Sequence, residues 1–186
     1  MRLYIKNMAC VRCSLVVKSE LERLGFRYIS VTPGEVEINE TIPEERQYML
    51  KDAIRTLGLE LIEDKESIII EQIKTAIIGM ISDSEAFLKI NFSEYISSKL
   101  GYSYHYLSTV FSTAYGSSIE RFYISRRIER VKELLVHGKL SFSEIAYKVH
   151  YSSVAHLSSQ FKKETGLTLS QFRAIEHANK GEKQNQ

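Results

Sequence analysis

Leu3 and Ile5 alternate with Arg2, Tyr4 and Lys6, the period of two that turns one face of a strand toward a core. The period then lengthens: Val17, Leu21 and Leu24 recur at helical spacing from about Val11, and Gly25 stops the run. Ile29 and Val31 alternate next, Pro33-Gly34 makes a turn, and Val36 and Ile38 alternate with Glu35, Glu37 and Asn39, which predicts a hairpin. Pro43 is placed at the start of a second helix, Gly58 closes it, and Leu59 and Leu61 open a last short strand. The order βαββαβ predicts an α+β, ferredoxin-like domain over residues 1–64, an antiparallel sheet with two helices on one face.

From Glu66 the pattern is helical. Ile69, Ile70, Ile73, Ile77 and Met80 form an apolar stripe at spacings of three and four, so this helix should be largely buried. The polar stretch from Ser82 to Asn91 reads as a loop. Beyond it lies an internal repeat: Ser103, Leu107, Phe111, Gly116 and Phe122 recur 50 residues later as Ser153, Leu157, Phe161, Gly166 and Phe172, and Phe92-Ser93-Glu94 is echoed by Phe142-Ser143-Glu144. Each copy reads as a capped short helix, a turn, and a second helix ending at glycine, with Ser93 and Ser143 as the caps. That is the helix-turn-helix pattern. An all-α domain of two such subdomains is therefore expected over 65–178, followed by a disordered tail, 179–186.

A long helix, about Ser118 to Val136, separates the copies, with Ile124, Ile128, Val131, Leu134 and Leu135 as its stripe. At 1.5 Å per residue it spans roughly 28 Å. Recognition helices in successive major grooves on one DNA face stand about 34 Å apart, so the spacer has the right order of length to let one chain present two of them.

The early, exposed residues of each second helix would meet base edges: Tyr104, His105, Ser108 and Thr109 in the first copy, Val154, Ala155, His156 and Ser159 in the second. Neither set contains an arginine, so the commonest bidentate guanine contact is missing. Readout is expected through thymine methyls, hydroxyls, imidazole, water and DNA shape, on A·T-rich sites. Phosphates would be met by Arg126, Arg127, Lys162 and Lys163, and by the helix starts at Ser93 and Ser143.

The other chemistry lies between the first strand and first helix, at Met8, Cys10, Arg12 and Cys13. Arg12 and the helix N-terminus should lower the thiol pKa values and favour thiolates. Two thiolates alone suit a soft, low-coordinate ion such as Cu(I), whereas Zn(II) wants four ligands. A redox dithiol, or two cysteines without chemistry in a dimerisation loop, are the competing readings.

Charge separates the two halves. The net charge of +2 on 186 residues divides into nine basic and eleven acidic side chains over 1–64 and 14 against 10 over 82–186, where all five histidines also lie. A basic second half suits a polyanionic partner. No apolar run reaches the roughly 18 residues of a spanning helix, and MRLYIKNMAC is too short and polar for a secretory signal, so a cytoplasmic location and no membrane partner are expected. No acid–base pair, activated nucleophile or phosphate-cradling glycine loop stands at suitable spacing, so the chain is not expected to be an enzyme.

The second half, especially RRIERVKELL followed by SEIAYKVHYSSVAHLSSQFKKETGLTLSQFR, resembles the AraC/XylS type of transcription-factor domain from about Ile69 to Ala174. Local departures are His150 for a turn glycine, Ala155-His156-Leu157 for Ser-Tyr-Phe, and Leu169 for proline. The first third, with MxCxxC after its first strand, is similar to the heavy-metal-associated domain of copper chaperones and metal-transporting ATPases, although Asn7 stands where that family has glycine. By this likeness Cys10 and Cys13 would be ligands and Met8 would pack inward. The combination implies a sequence-specific transcriptional regulator that senses Cu(I) or another soft metal. Its implied partners are double-stranded DNA, RNA polymerase and a second copy held through the front domain. The alternatives are a regulator whose front domain is a metal-free dimerisation or protein-interaction module or a CxxC redox sensor, and a metal carrier whose helices bind another protein.

Overall fold

The computed structural model describes residues 1–39, 41–82 and 91–183, without the side chains of 179–183. Four strands come first: β1 (Arg2–Lys6), β2 (Tyr28–Thr32), β3 (Glu35–Ile38) and β4 (Glu60–Ile62). α1 (Val11–Arg23) follows β1, and α2 (Glu44–Thr56) follows β3. The remaining elements are helical: α3 (Lys65–Ser82), α4 (Phe92–Leu100), α5 (Tyr104–Tyr115), α6 (Ile119–His137), α7 (Phe142–Lys148), α8 (Val154–Thr165) and α9 (Leu169–Lys183). The loop expected over 82–91 falls on residues 83–90, outside the described residues.

The strands form one sheet in the order β2-β3-β1-β4, each neighbour antiparallel. Leu3 pairs with Val36 across β1–β3 and Ile5 with Leu61 across β1–β4, so the apolar residues of three strands share a face. Val17 and Leu21 of α1 and Leu50 and Ile54 of α2 close on that face in a single core with Phe26 and Met8. Met8 is 1% exposed, inward as the resemblance implied.

The alternation misplaces Ile29. Tyr28 opposes Ile38 and Ser30 opposes Glu37, so one residue is extra in β2. That bulge turns Ile29 out to solvent, 60% exposed. Pro43 proves to be the N-cap of α2 rather than its first residue.

Contacts divide the chain into two compact units. The first joins Met1–Gly79 to Asn91–Gly116; of the described residues, the second holds 80–82 and 117–183. The first helix pair, α4–α5, thus belongs with the sheet and most of α3, whereas the sequence pattern groups it with the later helices. In this unit Gly34 (φ +80) lies so close to α3 that a Cβ would come 3.0 Å from the Thr75 hydroxyl. In the second unit Ile128, Val131 and Leu135 of α6 pack with Ile145, Ala146, Val149, Leu157, Phe161 and Leu169. The tail expected from residue 179 starts as helix: α9 continues to Lys183, in keeping with the helix formers Ala178, Lys180 and Glu182.

Candidate nucleic-acid interface and dithiol site

The two helix pairs are built alike, each within its own unit. α4 ends at Gly101 in the left-handed region (φ +73), Ser103 caps α5 by accepting the Tyr106 N–H, and α5 ends at Gly116. α7 is followed by His150, also left-handed (φ +59). Ser153 then caps α8 through the His156 N–H, and Gly166 closes it. His150 therefore takes the backbone role of Gly101, which a non-glycine residue adopts at some cost; its Nε2 lies 3.3 Å from the Met80 carbonyl oxygen. Leu107 and Phe111 in α5, like Leu157 and Phe161 in α8, are fully buried, so each second helix offers only its opposite face.

That face carries the proposed readers. His105 and Thr109 are exposed while Tyr104 and Ser108 are half-buried; Ala155, His156 and Ser159 are exposed and Val154 half-buried. The Thr109 hydroxyl donates to the His105 carbonyl at 2.9 Å, so it faces outward chiefly as a methyl and an acceptor. The His156 Nδ1 sits 3.3 Å from the Ser152 hydroxyl and its ring stands edge-on to Tyr151, an arrangement that leaves Nε2 to point away. Tyr106, outside the expected set, shares this face. It occupies in α5 the place of His156 in α8, 37% exposed and packed against Tyr102 with ring centres 5.4 Å apart and ring planes tilted by 37°. The 50-residue repeat is the signal that identifies it.

The phosphate candidates diverge. Lys162 and Lys163 are exposed on α8. Arg126 is half-exposed and pairs with Glu129 at 2.9 Å. Arg127 is not a surface residue: it is 8% exposed, its Nε donates to the Val149 carbonyl at 2.7 Å, and its guanidinium lies 3.6 Å from the Tyr151 ring centre and 5.0 Å from that of Tyr123. A phosphate contact from Arg127 is ruled out by this burial; the side chain serves the C-terminus of α7 instead.

Neither Ser93 nor Ser143 is a cap. The N-cap of α4 is Asn91, whose side chain accepts the Ser93 N–H, and the N-cap of α7 is Ser141, each two residues earlier than the repeat suggested. Ser93 and Ser143 stand in the first turns. Ser141 and Glu144 form a reciprocal box, Ser141 N–H to the carboxylate at 2.8 Å and Glu144 N–H to the Ser141 hydroxyl at 3.2 Å. Ser141→Ala should cost about 1 kcal/mol in urea denaturation of the full chain. The bonds from Ser141 hold the Glu144 carboxyl below its usual pKa. A depressed folded value means that this support is complete above the unfolded pKa and is lost as pH falls through the folded one. Alanine keeps the backbone N–H bond, the larger cause, and loses only the hydroxyl bond to the carboxylate at 2.7 Å, so the Ser141→Ala deficit should shrink in acid by the hydroxyl's share alone.

Cys10 is the N-cap of α1, and its sulfur accepts the Cys13 N–H at 3.4 Å. The two sulfurs lie 3.0 Å apart as free thiols, Cys10 exposed and Cys13 half-buried. The hydrogen bond from the Cys13 thiol, with smaller help from Arg12, holds the Cys10 pKa low, while the same bond and burial push the Cys13 thiol up. Of the two thiol pKa values expected to fall, only that of Cys10 does. Donor chemistry fits a soft ion. Spacing fits only after movement, because two metal–sulfur bonds of about 2.3 Å put the sulfurs roughly 3.8 Å apart at a tetrahedral angle and further apart in a line. Among the described residues no cluster of three or more His, Cys, Asp or Glu side chains could hold a metal, and no helix is long and apolar enough to cross a membrane.

Residues 96–175 match a protein family described as a helix-turn-helix domain. Over 72 residues, 39% of this chain, the sequence is 33% identical to the virulence regulon transcriptional activator VirF of Yersinia enterocolitica; the match spans 27% of that protein. The C-terminal domain of AraT, a response regulator from Geobacillus stearothermophilus, aligns with TM-score 0.53 and 28% identity, covering 60% of this chain and 88% of that domain. The DNA-binding domain of AdpA, a global transcriptional factor solved in complex with a target DNA, shares the fold at TM-score 0.50 and 19% identity over 60% of this chain and 94% of its own.

Proposed function

We propose, from the AraC-type helix-turn-helix domain carried by residues 96–175, that the chain is a sequence-specific DNA-binding transcriptional regulator. That family consists of DNA-binding regulators and not enzymes. The observation that carries the reading is the duplication: α5 and α8 each follow a short helix and a left-handed turn, start at a serine cap and expose the same early positions. Helices so presented enter major grooves, and the excess of basic side chains in this half favours the polyanion. His105, Tyr106, Thr109, Ala155, His156 and Ser159 are the readers with greatest access, and Lys162, Lys163 and Arg126 the phosphate contacts.

The front sheet is read as a ferredoxin-like, heavy-metal-associated-type module, supported by its strand order β2-β3-β1-β4 and by the MxCxxC loop that ends in the α1 cap. Its function in this reading is to bind Cu(I) or a similar soft ion between Cys10 and Cys13 and to change DNA affinity in response. Anaerobic Cu(I) titration of the full chain, with a parallel gel-shift on a duplex selected from a random pool, tests both halves. The wild-type chain should bind one Cu(I) and shift its DNA affinity, whereas Cys10→Ser/Cys13→Ser should bind none and stay at the metal-free value. Equal wild-type affinities with and without Cu(I) would reject the response while leaving the DNA assignment intact.

The polarised thiol pair also favours a second reading, a redox switch in which the Cys10 thiolate and Cys13 thiol lose two electrons and one proton to a disulfide oxidant. An effect of oxidised glutathione on DNA affinity, without any effect of Cu(I), selects it.

A further inference from the structure

Glu71 is 8% exposed although it interrupts the apolar stripe of α3, and its two carboxylate oxygens face in two directions. One accepts the backbone N–H of Asn7 at 3.3 Å. Asn7 is left-handed (φ +67) and joins β1 to the loop that carries Met8, Cys10 and Cys13. With Met8 sunk in the sheet core, this bond ties the stem of the dithiol loop to α3. The other oxygen accepts the Lys74 ammonium at 2.6 Å. Lys74 in turn lies 4.9 Å above the Tyr115 ring, in the last turn of α5. Tyr115 packs on Phe111 with ring centres 4.9 Å apart, and Phe111 is the fully buried anchor of that helix. All these residues belong to one compact unit.

We infer that Glu71 is a positioning residue that couples the conformation of the Cys10–Cys13 loop to the helix α5. The inference deepens the metal-response reading and rests on it for its signal, since sulfurs 3.0 Å apart must separate to share an ion and the Asn7 stem is the tethered end of the loop that moves. A buried carboxylate with one ammonium partner transmits such a shift because it cannot lose the Asn7 N–H or the Lys74 charge without leaving polar groups unmatched. Coupling of this kind works in both directions.

Hydrogen exchange read by mass spectrometry on the full chain tests it, with Glu71→Gln, which keeps shape and one acceptor, and Lys74→Met, which removes the ammonium. Without metal, Glu71→Gln should speed exchange at least threefold both in residues 7–13 and in 111–115. Lys74→Met, which removes the partner of the other carboxylate oxygen, should do the same in 7–13. Helices α6 to α9 serve as the internal control and should be unchanged. With Cu(I), both variants should bind one equivalent within threefold of wild-type affinity but show less than a third of the wild-type change in α5. Exchange that rises uniformly through all helices, or a Lys74→Met variant with an unchanged 7–13 segment, would overturn the coupling. A wild-type chain that binds no Cu(I) would overturn the metal reading instead, and the metal-free comparison still decides the role of Glu71.

Discussion

Replacing Arg127 with alanine should destabilise the unit built from α6 to α9 by about 3 kcal/mol, the sum expected for a lost charge-assisted hydrogen bond and a desolvated cation–π contact. The guanidinium fills the space between Tyr123 and Tyr151 and caps the Val149 carbonyl at the end of α7, so its removal leaves a cavity, an orphan carbonyl and two rings without their partner. Burial lowers the Arg127 pKa, and an arginine side chain stays charged at neutral pH. Arg127→Lys should recover only part of the loss, because an ammonium matches neither the planar stack nor the fixed donor geometry. Urea denaturation gives the shift in midpoint. DNA binding below the new transition separates the structural role from a phosphate role. A phosphate contact would show as a salt dependence shallower by about one unit of slope with stability nearly intact. The expected result is the opposite, a lower midpoint with the slope unchanged.

Arg127 also marks where sequence pattern loses its reach. β1, α1, the hairpin and α6 were legible because each buries one face, and the buried side chains recur at the period of the element, as Leu3 and Ile5 do in β1 and Ile128, Val131 and Leu135 in α6. The duplicated helix pair was legible because its anchors, Leu107 and Phe111 with Leu157 and Phe161, repeat at a fixed offset. Two of the three partners of Arg127, Val149 and Tyr151, lie 22 and 24 residues away across a turn, and nothing in RRIER alone distinguishes the arginine that faces Val149 from its neighbour that pairs with Glu129. Glu71 is hidden for the same reason: its partners, Asn7 and the Lys74–Tyr115 contact, exist only after α3 is seated between the sheet and α5. Ile29 defeats alternation because a bulge adds one residue to a period of two. The caps at Asn91 and Ser141 were displaced by two because serines inside the first turn look like caps when the bonds that Asn91 and Ser141 accept, from the Ser93 and Glu144 N–H groups, cannot be seen. Among the site residues, exposure of His105, Thr109, Ala155, His156 and Ser159 follows directly from the helical period. The state of Cys10 and Cys13 depends on a sulfur–sulfur distance that spacing alone does not set.

A carboxylate placed on either reading face should abolish most specific binding without unfolding the chain. His105 and Ala155 are each the second residue of their helix, exposed in α5 and α8 respectively. A glutamate there interacts favourably with the helix N-terminus, so His105→Glu and Ala155→Glu should leave the denaturation midpoint unchanged or slightly raised. Against DNA the same charge meets phosphates and base acceptors and repels both. If two weak modules on one chain bind together, the second docks at an effective concentration set by the first, and silencing either one forfeits that gain, which runs from about 10²- to 10⁴-fold. Each single variant should therefore lower affinity for a selected duplex by roughly 100-fold or more, and the double variant should bind only as a non-specific polycation. Fluorescence anisotropy at two salt concentrations measures it. Were His105→Glu to bind as the wild type does while Ala155→Glu fails, α8 alone would be the reader and the first helix pair would serve the front unit as a scaffold. Comparable losses from both variants, at unchanged stability, require that both helices face the same duplex.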